Sequence, residues 1–388
     1  VRPVPALFLA GAMAVVPSSG MPPHARMPEA VVSPADCTTW LRAPAPAEMP
    51  PGLVACLRRA YAAPPAQWPA PHVDAGVAWR ELGPIADAPV PEPDDNPSSH
   101  TKIALGRRLF HDPRLSRSGQ IACANCHEQA LGWADGRRVA FGHDRQPGRR
   151  NAMSVAMAGY ATTLFWDGRA ASLEDQAMHP VEDPREMAFT RREMVARLRA
   201  LAEYRAAFEA AFGSREVDER RISQALAAFQ RSLAPRHGRF DRFLGGRGNA
   251  LDDRQLLGLH LFRTRARCIN CHHGPTLSDN RFHNLGLHGY GTPNGDLGRY
   301  EVTGDPADVG RFRTPSLRNV KRTGPWMHNG EFPLLEGVLR MYNLGMVKPV
   351  RRPGQEDDPL FPETDPLLRP LGLNETELGA IVSFLETL

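Results

Sequence analysis

Two copies of one short pattern constrain this chain more than anything else in it: Cys123-Ala124-Asn125-Cys126-His127 and Cys268-Ile269-Asn270-Cys271-His272. Two cysteines separated by two residues and followed at once by histidine read as an attachment site for a c-type haem. The thiols add across the two vinyl groups, and the histidine supplies a nitrogen to iron. The spacing lets both sulfurs reach one porphyrin edge while the histidine turns under the ring. A lone C-x-x-C is also read as half of a zinc site or as a redox dithiol. Here the two pairs stand about 145 residues apart, too far for an ordinary zinc ribbon, and each carries its own histidine. The sequence thus predicts two covalent haem c groups, on Cys123 and Cys126 and on Cys268 and Cys271, with His127 and His272 as axial ligands of the irons.

The surroundings of the two motifs repeat as well. Leu105-Gly106-Arg107-Arg108-Leu109-Phe110 precedes the first, and Leu257-Gly258-Leu259-His260-Leu261-Phe262 precedes the second. Ala134-Asp135-Gly136-Arg137 follows one and Ser278-Asp279-Asn280-Arg281 the other. A repeat this long predicts tandem domains related by internal duplication rather than a solenoid. Helical signals fill the rest. Ile103, Gly106, Leu109 and Phe110 share one helical face. Thr190-x-x-Glu193 and Asn374-x-x-Glu377 are capping boxes, and apolar residues recur at helical spacing over 204–212 and 217–233. No stretch sustains period-two alternation. The expected fold is mostly α, with two cytochrome c-like domains (96–240 and 241–388), long ordered loops rich in the 37 Pro and 34 Gly, and little sheet.

The N-terminal part reads differently. Arg2, the apolar run over 6–16 and the small residues Ser18, Ser19 and Gly20 resemble a signal peptide over 1–20, which predicts export to the periplasm. An uncleaved anchor is the alternative, although the run is short for a membrane span and no other is long enough. Residues 21–95 are Pro/Ala-rich and read as an extension with one helix-like stretch over 53–61. Cys37 and Cys56 lie within it; an exported chain would favour a disulfide, with two free thiols as the other reading. A net charge of +4 gives no strongly basic domain, which speaks against a nucleic-acid partner. The cluster Arg263, Arg265 and Arg267 is expected on a solvated face, or against haem propionates or an acidic partner. His179, His260, His273, His283, His288 and His328 are expected to be structural or exposed.

Four further stretches carry a family resemblance over residues 98–388. Phe165-Trp166-Asp167-Gly168-Arg169, Leu173-Glu174-Asp175-Gln176, Glu186-Met187 and Thr314-Pro315-Ser316-Leu317-Arg318-Asn319 are similar to those of the bacterial di-haem cytochrome c peroxidase/MauG family. The resemblance implies that Trp166 lies between the haems and relays electrons. It implies that Gln176, Pro180 and Glu186 line the distal side of the N-terminal haem, where hydrogen peroxide binds. Asn151, Thr323 and Pro325 would hold one calcium ion, and oxygen donors from separate segments suit a hard cation. Read without the family, Glu186 is a carboxyl able to move a proton between peroxide oxygens, or a surface residue paired with Arg185.

The distal ligands separate the branches of this family. His143 falls where peroxidase members place a distal histidine on the N-terminal haem, which makes it a further candidate iron ligand. Tyr342, fourteen residues after His328 and nineteen after Thr323, falls where peroxidases place a methionine and MauG-like members a tyrosine; Met341 is one step away. The MauG of methylamine metabolism carries a tryptophan two residues before its second motif, and this chain has Ala266 there. The leading expectation is a peroxide-dependent, MauG-like oxidoreductase that draws electrons from a partner protein, including from its Trp or Tyr side chains. The alternatives are a cytochrome c peroxidase fed by a small cytochrome or cupredoxin, and a non-enzymatic electron carrier or sensor. No stable membrane insertion is expected.

Overall fold

A computed structural model describes residues 33–233 and 238–388. The expected signal peptide lies outside the described residues. The chain is mostly helical. Among the described residues, sheet is limited to one antiparallel pair, β1 (Phe282–Asn284) and β2 (Arg311–Arg313), with Phe282 opposite Arg313. The helices are α1 (Pro34–Arg42), α2 (Pro51–Ala60), α3 (His100–Phe110), α4 (Leu173–Gln176), α5 (His179–Glu182), α6 (Arg191–Ala200) and α7 (Ala202–Phe212). They continue with α8 (Glu219–Arg231), α9 (Arg239–Leu244), α10 (Asp253–Arg263), α11 (Tyr300–Thr303), α12 (Leu335–Asn343) and α13 (Glu375–Leu385). Long loops hold both C-x-x-C-H motifs, and no helix of the described residues is long and apolar enough to cross a membrane.

Local chemistry sets where the main helices begin. The Ser99 hydroxyl accepts from the Lys102 N–H and opens α3. Thr190 with Glu193, Asp252 with Gln255 and Asn374 with Glu377 form reciprocal capping boxes at α6, α10 and α13. Two apolar cores follow. One joins Leu105, Leu109 and Phe110 to Tyr204, Phe208, Leu226 and Phe229. The other joins Leu257, Leu261 and Phe262 to Ile381 and Phe384.

The same close contact recurs in both cores. A Cβ added to Gly106 in α3 would stand 1.9 Å from the Ala225 carbonyl oxygen of α8 and 2.8 Å from the Phe229 Cβ. One added to Gly258 in α10 would stand 2.0 Å from the Ala380 carbonyl oxygen of α13 and 2.7 Å from the Phe384 Cβ. Only glycine lets the backbones approach this closely. Because the obstacle is backbone, it cannot swing aside as a side chain could. Gly106→Ala and Gly258→Ala should therefore each cost about 3 kcal/mol, as overpacking does, and equilibrium urea unfolding of the holoprotein would measure it.

The N-terminal segment is more than a leader and linker. Cys37 and Cys56 form a disulfide that ties α1 to α2. Leu53, Leu57, Tyr61, Trp68 and Leu82 are buried in the same core as Phe262 and Phe384. This segment also overturns the expected solvated arginine face. Arg263 is fully buried, pairs with Glu81 and donates to the Pro69 carbonyl (2.9 Å) and the Tyr61 hydroxyl (3.2 Å). Arg267 pairs with Asp74, and Arg265 with Glu377 at the start of α13. Burial is tolerated because each charge meets a carboxylate.

Candidate active site

Each C-x-x-C-H motif folds into a short 3-10 turn, Cys123–Asn125 or Cys268–Asn270. The histidine N–H returns to the first cysteine's carbonyl, at 3.0 Å for His127 and 2.8 Å for His272. The rings are held alike. His127 Nδ1 lies 3.2 Å from the Trp133 carbonyl, and His272 Nδ1 lies 3.0 Å from the Leu277 carbonyl. A carbonyl on Nδ1 fixes the tautomer that leaves the Nε2 lone pair for a metal, and burial pushes both imidazoles down, which keeps them neutral.

Both motifs open on one cavity of about 840 Å³, lined by Cys123, Cys126, His127, Cys268, Cys271 and His272. None of the four motif cysteines is in a disulfide. Burial pushes the Cys123, Cys126 and Cys268 thiols up to about 12, the reverse of what a redox dithiol needs. A zinc reading finds one group among the described residues, Cys271 with Asp279 and His283. Both nitrogens of His283 are already engaged, Nδ1 with Asp365 at 2.6 Å and Nε2 with Asp279 at 2.8 Å. Burial opposes the charge, but these bonds override it and push His283 up to about 12. A doubly protonated imidazole has no lone pair for a metal. Paired free thiols with an adjacent neutral imidazole, twice over on one cavity wall, fit two covalent haems.

Several residues singled out in the sequence meet in this cavity. Gln176, Pro180, Glu186, Trp166, Asn151, Thr323, Pro325 and Tyr342 all line it. Glu186 has no salt bridge among the described residues, so its side chain is not the surface partner of Arg185. Burial first, then the Asp183 carboxylate, push its carboxyl up to about 7, with Arg169 opposing. Trp166 donates its indole N–H to the Asn151 carbonyl at 2.9 Å, and its carbonyl accepts the Arg313 N–H at 2.7 Å. It thereby joins the stretch after the first motif to β2. The Asn151 side-chain nitrogen donates to the carbonyls of Arg137 and Arg138, which leaves the Oδ1 lone pairs to face another group. Burial, then the Cys271 and Cys268 thiols, push the Tyr342 hydroxyl up, so it stands near the second cysteine pair.

Comparison with known proteins decides the family. The model of the di-haem cytochrome c peroxidase family matches residues 100–249. Cytochrome-c peroxidase IdrP1 of Denitromonas iodatirespirans is 39% identical over 339 residues, covering 79% of this chain and 86% of its own. This chain belongs to the di-haem cytochrome c peroxidase family. The methylamine utilization protein MauG of Methylorubrum extorquens is also 39% identical, over 302 residues, covering 77% of this chain and 81% of its own. Among solved structures, a MauG-like protein associated with microbial copper homeostasis is 35% identical, with a TM-score of 0.70. That likeness covers 80% of this chain and 95% of the other. The chain is thus a di-haem peroxidase-type oxidoreductase.

For a member of this family two positions stand out. His143 does not line the cavity: its ring nitrogen Nε2 lies 3.5 Å from Asp144, and its main-chain N–H donates to the Glu186 carbonyl at 2.8 Å. Gly142 permits that approach, since a Cβ there would stand 2.2 Å from the Arg185 carbonyl. Met341 does not line the cavity either, whereas Tyr342 does. Sequence reasoning missed Arg313, which precedes the Thr314–Asn319 motif directly and lines the cavity, and the Asp279–His283–Asp365 array. The first could have been found by extending that motif one residue; the second is half local, with Asp279 four residues before His283, but Asp365 lies 82 residues beyond and completes it only in the fold. Holoprotein prepared from an exporting host should carry two haems per chain, and intact mass after acid-acetone extraction should still show both.

Proposed function

We propose that this enzyme is a peroxide-dependent, MauG-like oxidoreductase that takes electrons from a partner protein. The observation that carries this reading is Tyr342, which lines the cavity near Cys268 and Cys271 while Met341 does not. The haem on His127 would supply the iron at which peroxide is reduced, and that on His272 a second redox centre. Gln176, Pro180 and Glu186 form the wall where peroxide would sit. Glu186 accepts a proton from one peroxide oxygen and returns it to the other as the O–O bond breaks. Trp166 provides an aromatic step between the two sites, and a half-buried indole hydrogen-bonded to a main-chain carbonyl needs no rearrangement to serve. Two electrons and two protons per peroxide give two waters, and the partner's own redox group or its Trp or Tyr side chains supply the electrons.

The paired cores, with the same glycine contact in each, support an origin by internal duplication and domains spanning 96–240 and 241–388. Asn151 Oδ1 with the carbonyl oxygens of Thr323 and Pro325 would hold calcium. Export to the periplasm is the compartment in which covalent haem attachment and the Cys37–Cys56 disulfide both fit.

A second reading, a cytochrome c peroxidase that must first be half-reduced, is favoured by the bond from the His143 N–H to the Glu186 carbonyl, which keeps His143 beside the site. Stopped-flow mixing separates the two. The MauG-like reading expects the fully oxidised protein to react with peroxide within the mixing experiment, and His143→Gly to leave that rate within about twofold. An inert oxidised protein, activated more than tenfold by one-electron reduction or by His143→Gly, would establish the second reading instead.

A further inference from the structure

Among the described residues, arginines with buried side chains follow a rule with one exception. Arg150 meets Asp167 and Asp296, Arg231 meets Glu174, Arg263 meets Glu81, Arg267 meets Asp74 and Arg318 meets Asp241. Arg313 is equally buried, 8% exposed, and has no carboxylate partner among the described residues. Its Nε donates to the Phe165 carbonyl at 3.3 Å, one terminal nitrogen to Asn280 Oδ1 at 3.4 Å and the other to the Met153 sulfur at 3.6 Å. All three acceptors are neutral, and the two oxygen contacts sit at the long limit of a hydrogen bond. Of the five N–H groups of a guanidinium, two are left over. Burial pushes Arg313 down to about 10, so at neutral pH it is still a cation. A buried cation without an anion is strongly disfavoured.

The position of Arg313 says which anion would suit it. It ends β2 and lines the cavity shared by both motifs. Met153, which it touches, also offers its carbonyl to the His127 imidazole. Asn280, which it touches as well, follows Asp279, whose N–H is bonded to the Cys271 carbonyl at 2.8 Å. The side chain therefore reaches from one attachment loop to the other. A haem c held on either motif would bring two propionates, and the two oxygens of a carboxylate match the guanidinium fork.

We propose that Arg313 is the counter-ion of a haem propionate, a positioning residue that holds one porphyrin edge beside Trp166 and raises the potential of that haem. This rests on the di-haem assignment. A fixed cation favours the state with one more electron, so its removal favours the ferric state. It also lets the propionate take up a proton more readily, which makes the potential fall as pH rises through the propionate's new pKa.

Spectroelectrochemical titration of the holoprotein tests this, with wild type, Arg313→Gln and Arg313→Lys compared over pH 5 to 8. In Arg313→Gln one haem should be harder to reduce, by about tenfold in its equilibrium with a dye of fixed potential, and should gain a pH dependence that wild type lacks. Arg313→Lys keeps the charge and loses the fork, so it should show the same two changes at least twofold but less fully. Two covalent haems by mass, with both potentials and their pH profiles unchanged in either variant, would overturn the proposal and leave the di-haem reading standing. A wild-type mass with fewer than two haems would overturn the reading beneath it. Where Arg313→Gln does not accumulate, Arg313→Lys alone decides by the same criterion.

Discussion

Replacing Glu186 by glutamine should slow the reaction of the protein with hydrogen peroxide by about 10²- to 10⁴-fold, the usual contribution of a positioned proton carrier. Glutamine keeps the shape and the burial but can neither accept the first proton nor return it. The effect has a pH signature. Burial and Asp183 push the Glu186 carboxyl up to about 7, so it is mostly protonated at pH 5 and mostly ionised at pH 9. Accepting a proton from peroxide needs the ionised form. The wild-type rate should therefore rise with pH through about 7 and then level off, while the Glu186→Gln rate stays flat.

The same shift carries a stability consequence of opposite sense. A carboxyl whose pKa is raised on folding costs nothing below its unfolded value near 4.5. The penalty grows as pH rises and is complete above about 7. Glu186→Gln should accordingly match wild type in stability near pH 4.5 and exceed it by up to about 3 kcal/mol above pH 7. Denaturant unfolding at the two pH values, set beside the stopped-flow rates, separates a proton carrier from a packing residue. A variant that is less stable at high pH and reacts at the wild-type rate would return Glu186 to a structural role.

What the sequence disclosed and what it hid differ in range. The attachment loops were legible because five adjacent residues carry the whole signal, and α6 and α13 because each capping box spans four. The glycine contacts were half legible: Gly106 and Gly258 stand in repeated hexapeptides, but the carbonyls they meet belong to helices more than a hundred residues later. The N-terminal segment was only partly legible, for a different reason. Leu53, Leu57 and Tyr61 recur at helical spacing and did announce α2, but Trp68 and Leu82 are scattered through Pro-rich chain, and only the core they join shows that the segment packs at all. Arg263 and Arg267 looked like a solvated face because their carboxylates, Glu81 and Asp74, lie 182 and 193 residues away. Arg313 is the reverse case, since the group that would explain it is not a residue.

Tyr342→Phe should change the spectrum and the potential of the haem on His272, and Met341→Leu should change neither. α12 carries both residues, and one helical step turns a side chain by about 100°. That step is the difference between lining the cavity near the second cysteine pair, as Tyr342 does, and not lining it, as with Met341. A phenolate oxygen is a hard, anionic ligand that stabilises the ferric state, whereas a thioether raises the potential. Burial already disfavours free ionisation of Tyr342, so the tyrosinate form would depend on the iron to stabilise it. Losing it should raise the potential of that haem, make it easier to reduce with an ordinary cytochrome, and slow the oxidation of both sites by peroxide at least tenfold. The ferric wild type should lack the near-infrared sulfur-to-iron band. If that band is present, and Met341→Leu alone removes it, α12 turns its other face to the haem and the enzyme is a cytochrome c peroxidase that draws electrons in through a methionine-ligated centre.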